Sequence, residues 1–184
     1  KVENNKAPTL WARVLLLAFA NVTFRILKLP PYRAVNGLSF FCFQKVIDCR
    51  STRSGTAWIL DFLKKTAGST KKVIIDGASG QQPLADEMKA AKLKPPHLPT
   101  TRDVITANAV FEPRIEQGIL CHSGQPSLAQ AASSCEHRAI GSNGGFGYRA
   151  IKEGVDISVL DCAVLACWGV DEFKETQIRQ RISY

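Results

Sequence analysis

Acid is missing from the start of this chain: no Asp or Glu occurs between Glu3 and Asp48, and the whole sequence sets 24 Lys and Arg against 16 Asp and Glu. The resulting net charge of +8 favours an acidic partner, of which nucleic acid is the commonest. There are six cysteines, but none forms a CxxC pair and none lies at zinc-finger spacing from a histidine. That excludes the common structural zinc sites. No apolar run is long enough to cross a bilayer: Val14–Ala20 is followed by Asn21, Thr23 and Arg25, and no basic amphipathic helix offers itself to a membrane surface. Ala18-Phe19-Ala20 resembles a signal-peptide cleavage site only superficially, and a buried strand is the better reading. No G-x-x-x-x-G-K-[ST] motif occurs, so the glycine-rich stretch 141–147 is not a phosphate-cradling ATPase loop.

What is present describes an ordinary globular protein. The 184 residues, 45% of them apolar, suffice for one domain with a sizeable core. Residues 1–10 read as a flexible arm or linker end and 11–184 as a single domain. Most cysteines sit inside apolar runs, such as Phe41-Cys42-Phe43 and Ala166-Cys167-Trp168. They read as reduced core residues, which implies an intracellular setting.

Three apolar runs open the chain, at 13–20, 22–29 and 38–48, and suggest an antiparallel meander. The stripe Trp58, Ile59, Phe62, Leu63 predicts an amphipathic helix over 56–65. A strand at 73–75 follows, then a helix over 83–92 and an extended stretch 94–99 with a short edge strand near its end. A helix over 101–117 capped by Thr100 or Thr101, a short strand at 119–122, and a helix over 127–134 come next. The segment 141–147 is a flexible hairpin or loop, and 157–168 is the last firm helix, with Ser158 and Asp161 as a capping-box-like start. The order predicts an α/β fold, a ribonuclease H-like mixed sheet flanked by helices.

The segment Val73-Ile74-Ile75-Asp76-Gly77-Ala78-Ser79-Gly80 concentrates the functional signal. A β-branched strand delivers a carboxylate to the edge of a sheet, and small residues clear space beside it. Ligands of open α/β sheets sit at the carboxyl ends of the strands. Asp76 is therefore the first candidate for a catalytic or metal-binding residue, with Asp156 in Val155-Asp156-Ile157-Ser158 as the second acid. Asp48 pairs naturally with Arg50, and Asp161 suits a helix start; each is also a possible additional acid. His122 suits a turn-holding role or a supporting one at a site. Arg138, Arg149 and Lys152 flank the glycine-rich loop and could contact phosphates, as could Lys64, Lys65, Lys71 and Lys72.

Between Val46 and Val170 the chain resembles the C-terminal nuclease domain of phage terminase large subunits. The resemblance rests on Asp48-Cys49-Arg50 with Gly55-Thr56-Ala57-Trp58, Ile75 to Gly80, Leu120-Cys121-His122-Ser123-Gly124-Gln125-Pro126, Val155-Asp156-Ile157-Ser158, and Ala163, Ala166 and Trp168. It implies metal-dependent cutting of double-stranded DNA, with Asp76 and Asp156 holding Mg²⁺ or Mn²⁺, two ions in all. It also implies as partners duplex DNA, the terminase ATPase domain, the small terminase subunit and the portal, in the cytoplasm of a bacterial host and away from membranes. The chemistry is consistent with that: two-metal phosphodiester hydrolysis needs converging carboxylates, and these hard ions prefer oxygen ligands. The chain departs from the family pattern at one point. The family carries a further acid on the first strand, and here only neutral Asn21 lies near that place. Either the site is degenerate, leaving a DNA-binding or docking module, or another acid such as Asp48, Asp161 or Glu153 helps, or the first strands align differently.

Overall fold

The computed structural model describes residues 14–20, 23–28, 42–51, 55–76, 81–122, 124–142 and 144–173. The proposed arm 1–10, Asn21 and the turn 77–80 lie outside them. Three strands, β1 (Val14–Ala20), β2 (Thr23–Lys28) and β3 (Cys42–Ser51), form the expected meander. β4 (Lys72–Asp76) adds parallel to β1, and β5 (Leu120–His122) adds parallel to β3, giving the order β4-β1-β2-β3-β5. The far side of β4 is covered too. His97 pairs with Ile74, accepting from the Ile75 amide at 2.9 Å and donating to the Val73 carbonyl at 2.8 Å. The extended stretch read from the prolines thus shields an otherwise open edge.

Helices α1 (Ala57–Thr66) and α2 (Gln81–Ala90) cover one face of the sheet, and α5 (Ser158–Glu172) covers the other. The alternation along β4 decides which residue meets which layer. Val73 and Ile75 pack with Ile59, Leu63, Leu84 and Met88, while Ile74 joins the α5 core. Between Ser158 and Val170 every residue of α5 is buried except Asp161. The helix is enclosed because α3 (Thr101–Glu116) and α4 (Pro126–Ser133) pack against its outer side. A helix apolar all round needs such enclosure. Buried Gln44 of β3 donates to the Ala163 carbonyl, and Arg114 of α3 donates to the Cys167 carbonyl at 2.8 Å and pairs with Asp171.

Thr100 and Asp103 form a reciprocal capping box at the start of α3. The glycine-rich segment is the turn of an antiparallel hairpin, β6 (Cys135–Ile140) and β7 (Gly145–Ala150). The hairpin alternative of the sequence reading holds, but the extent of its strands, back to Cys135 and on to Ala150, was not anticipated. Their burial pattern is mostly exposed on β6, so no apolar alternation marks them. The capping box expected at Ser158 and Asp161 does not form: Ile157 is the cap residue and makes no side-chain cap bond.

Ile75 is fully buried. Ile75→Ala is expected to cost about 3 kcal/mol in urea unfolding. Ile115→Ala, at a side chain 50% exposed, is expected to change stability by less than about 0.5 kcal/mol.

Candidate metal centre

Asp76 closes β4 two residues beyond Ile74, so the pleat turns it to the α5 face. The loop leading into α5 supplies Asp156, whose Oδ1 accepts from the Ser158 amide at 2.8 Å. That bond fixes one carboxylate at the helix start, where the dipole favours negative charge. One turn further along, Asp161 is the one acid on the buried stretch of α5. Its pKa is pushed up to about 7, first by burial, then by the charge of Asp76, with Asp156 adding to it. Arg138, carried in on β6, pulls the other way. The Arg138 Nε donates to the Tyr148 carbonyl across the hairpin at 3.0 Å.

The fold thus brings Asp76, Asp156, Asp161 and Arg138 within electrostatic reach of one another. Burial first, then the charges of Asp76 and Asp156, keep a proton on Asp161 below neutral pH against the pull of Arg138. Among the described residues no group of three or more His, Cys, Asp and Glu side chains is gathered as a ready ligand set. The donor chemistry nevertheless fits a hard divalent ion, because the donors are carboxylate oxygens.

The other expected residues fall elsewhere. The register row through Asp76 runs Ala18, Arg25, Cys49. Alanine therefore occupies the first-strand position beside Asp76. Asp48 is one residue off that row and faces the α1 layer. It pairs with Arg50 at 3.0 Å, and Arg50 lies over the Trp58 ring of α1. Three strand spacings, about 14 Å, also separate β3 from β4, so Asp48 does not join Asp76. His122 lies on β5 at the opposite edge of the sheet, where its Nδ1 accepts from the Gly124 amide at 3.0 Å. It holds a turn beside an apolar cavity of about 570 Å³ lined also by Glu112, His137 and Tyr148. Arg149 is paired with Glu136 on the hairpin at 2.8 Å, and Lys152 is exposed beyond it.

With the topology and the acids in place, the comparison with solved structures is direct. The crystal structure of the large terminase nuclease from thermophilic phage G20c superposes with a TM-score of 0.56, over 89% of this chain and 83% of that one, at 11% identity. This chain has the large-terminase nuclease fold. A second crystal structure of the G20c nuclease, with bound cobalt, gives a TM-score of 0.52 over 85% of this chain and 81% of that one, at 13% identity. The ribonuclease H-like reading of the element order therefore holds. By sequence, the chain matches no protein-family model and no curated protein.

A group whose folded pKa is raised holds a proton in the native state that the unfolded chain has released. Stability then falls as pH rises from the ordinary 3.8 to about 7. Asp161→Asn removes the penalty. The variant is expected to be more stable than the parent above neutral pH and to lose that advantage below the ordinary carboxylate range, as read by urea unfolding across pH.

Proposed function

We propose that this chain is the metal-dependent nuclease domain of a phage terminase large subunit, cleaving double-stranded DNA concatemers during packaging. The observation that supports the reading is the convergence of Asp76, Asp156 and Asp161 at the carboxyl end of β4, where burial first and then Asp76 and Asp156 raise the proton affinity of Asp161. On a fold shared with terminase nucleases, carboxylates within electrostatic reach of one another suit a cation. Asp76, Asp156 and Asp161 would hold Mg²⁺ or Mn²⁺, with Asp161 supplying the acid that Ala18 does not. A bound divalent ion supplies Lewis-acid stabilisation of the phosphoryl oxygens and an activated water. Arg138, Arg149 and Lys152 stand on or beside the hairpin and would position the DNA backbone, a sequence-independent contribution. The ATPase domain, small subunit and portal are the partners such a domain would meet, in the host cytoplasm.

A second reading is supported by the alanine beside Asp76 in the register of β1 and β4. The domain would then bind DNA or dock partners without cutting. Relaxation of supercoiled plasmid separates the two. The nuclease reading expects Mn²⁺-dependent nicking that falls about a hundredfold or more in Asp76→Asn and in Asp161→Asn, a loss of several kcal/mol of transition-state stabilisation. Asp48→Asn is expected to leave nicking intact. DNA binding should survive all three changes and weaken with salt. If the parent chain binds but never nicks, while Ala18→Asp gains Mn²⁺-dependent nicking, the docking reading replaces the nuclease.

A further inference from the structure

The opposite end of β4 carries a second charged feature, of the other sign. A cleft of about 240 Å³ is lined by Lys71, Lys72, Lys92 and Lys94 around a floor that includes Leu63, Val73, Met88 and Leu93. Among the described residues none of those lining it is acidic. Lys64 and Lys65 in the last turn of α1, and Lys89 in the last turn of α2, extend the positive surface. Two of the lining lysines are tethered at their tips: Lys72 Nζ donates to the Pro95 carbonyl and Lys94 Nζ to the Thr70 carbonyl, both at 3.4 Å. Lys72 also lies over the Phe173 ring at 5.3 Å. The Lys94 contact holds its ammonium group beside the cleft, whereas alternation along β4 sends the Lys72 head to the α5 side, over Phe173. The turn that presents Lys92 is held in a left-handed conformation, at a φ of 55°, which a non-glycine residue adopts only at a cost.

We propose that this cleft is a docking site for an acidic peptide segment of a protein partner, anchored by one bulky apolar side chain. Two observations select that occupant. The rim demands negative charge, and lysines supply it with steering and orientation. The accessible apolar lining demands contact: Ala67 and Leu93 reach the cleft over the buried Leu63, Val73 and Met88, and they gain most from a side chain that displaces the water there. A duplex backbone satisfies the first demand and leaves the second unmet, because phosphates and sugars carry no apolar anchor. Position adds to this. Four residues of strand, about 13 Å, separate Lys72 from Asp76, so a segment docked here leaves the acid cluster free. The inference is therefore independent of whether the domain cuts DNA.

Fluorescence anisotropy of the full chain with a labelled peptide of glutamates around a single phenylalanine tests it. Binding is expected for the parent, weakened about tenfold when serine replaces the phenylalanine, the worth of one buried aromatic side chain. The pair Lys71→Gln with Lys94→Gln is expected to weaken it about tenfold, and added salt should weaken it further. Lys92→Gly takes the left-handed turn without strain, so it keeps the fold, as circular dichroism will check, and should still bind the peptide severalfold less tightly. A labelled DNA duplex should bind the parent and these variants to within about twofold of one another, given how little a few remote charges change a many-contact interface. The proposal fails if the parent does not bind the peptide, or if binding ignores the phenylalanine or the lysines. It also fails if the lysine variants lose the duplex more than the peptide, which would make the surface a DNA track.

Discussion

The enclosure of α5 constrains everything else in this molecule. Its sequence from Ser158 to Val170 is apolar or small apart from Asp161, and such a helix is stable only with protein on every side. The sheet provides one wall, through Val46 and Ile74, and α3 and α4 provide the other. Gln44 and Arg114 then satisfy helix carbonyls from both walls. Once α5 is sealed in this way, its first turn must meet the carboxyl end of β4, and Asp161 must meet Asp76. The acid cluster is a consequence of how the core closes.

Charge in that place is expensive. A carboxylate taken out of water next to two others keeps its proton until a cation offsets the repulsion. The raised pKa of Asp161 reflects burial first, then the charges of Asp76 and Asp156, with Arg138 pulling the other way. The surface elsewhere has an excess of positive charge. On the same strand the chain sets acids at one end and lysines at the other, and this polarity separates a place suited to a cation and phosphates from one suited to an acidic partner. On the hairpin β6–β7 Arg149 is paired with Glu136, while Arg138, at the next pair on the same face, acts on the charge of Asp161.

Much of this was legible in the residues. The three opening strands, the apolar run ending in Asp76 and the long helices follow from periodicity and from turn chemistry, because burial in this fold obeys simple alternation. The extended stretch around His97 followed from its prolines. What was not legible depends on register and on long-range closure. A β-bulge between Ile26 and Leu27 shifts β3, and one residue of shift decides that Asp48 faces α1. The hairpin strands escaped because Glu136, His137 and Arg138 are solvent-exposed and carry no alternation. Asp161 looked like a helix-start acid, since local sequence cannot tell a capping carboxylate from one that the core turns toward other acids. One signal was present: a single charge in a stretch of α5 that is otherwise apolar or small is costly unless it has a use.

Calorimetric titration of Mn²⁺ into the protein tests the cation site most directly. Asp76, Asp156 and Asp161 acting together predict saturable binding by the parent chain, weakened about tenfold or more in Asp161→Asn and little changed in Asp48→Asn. No binding by the parent, or equal binding by the parent and Asp161→Asn, would contradict a shared site at the end of β4.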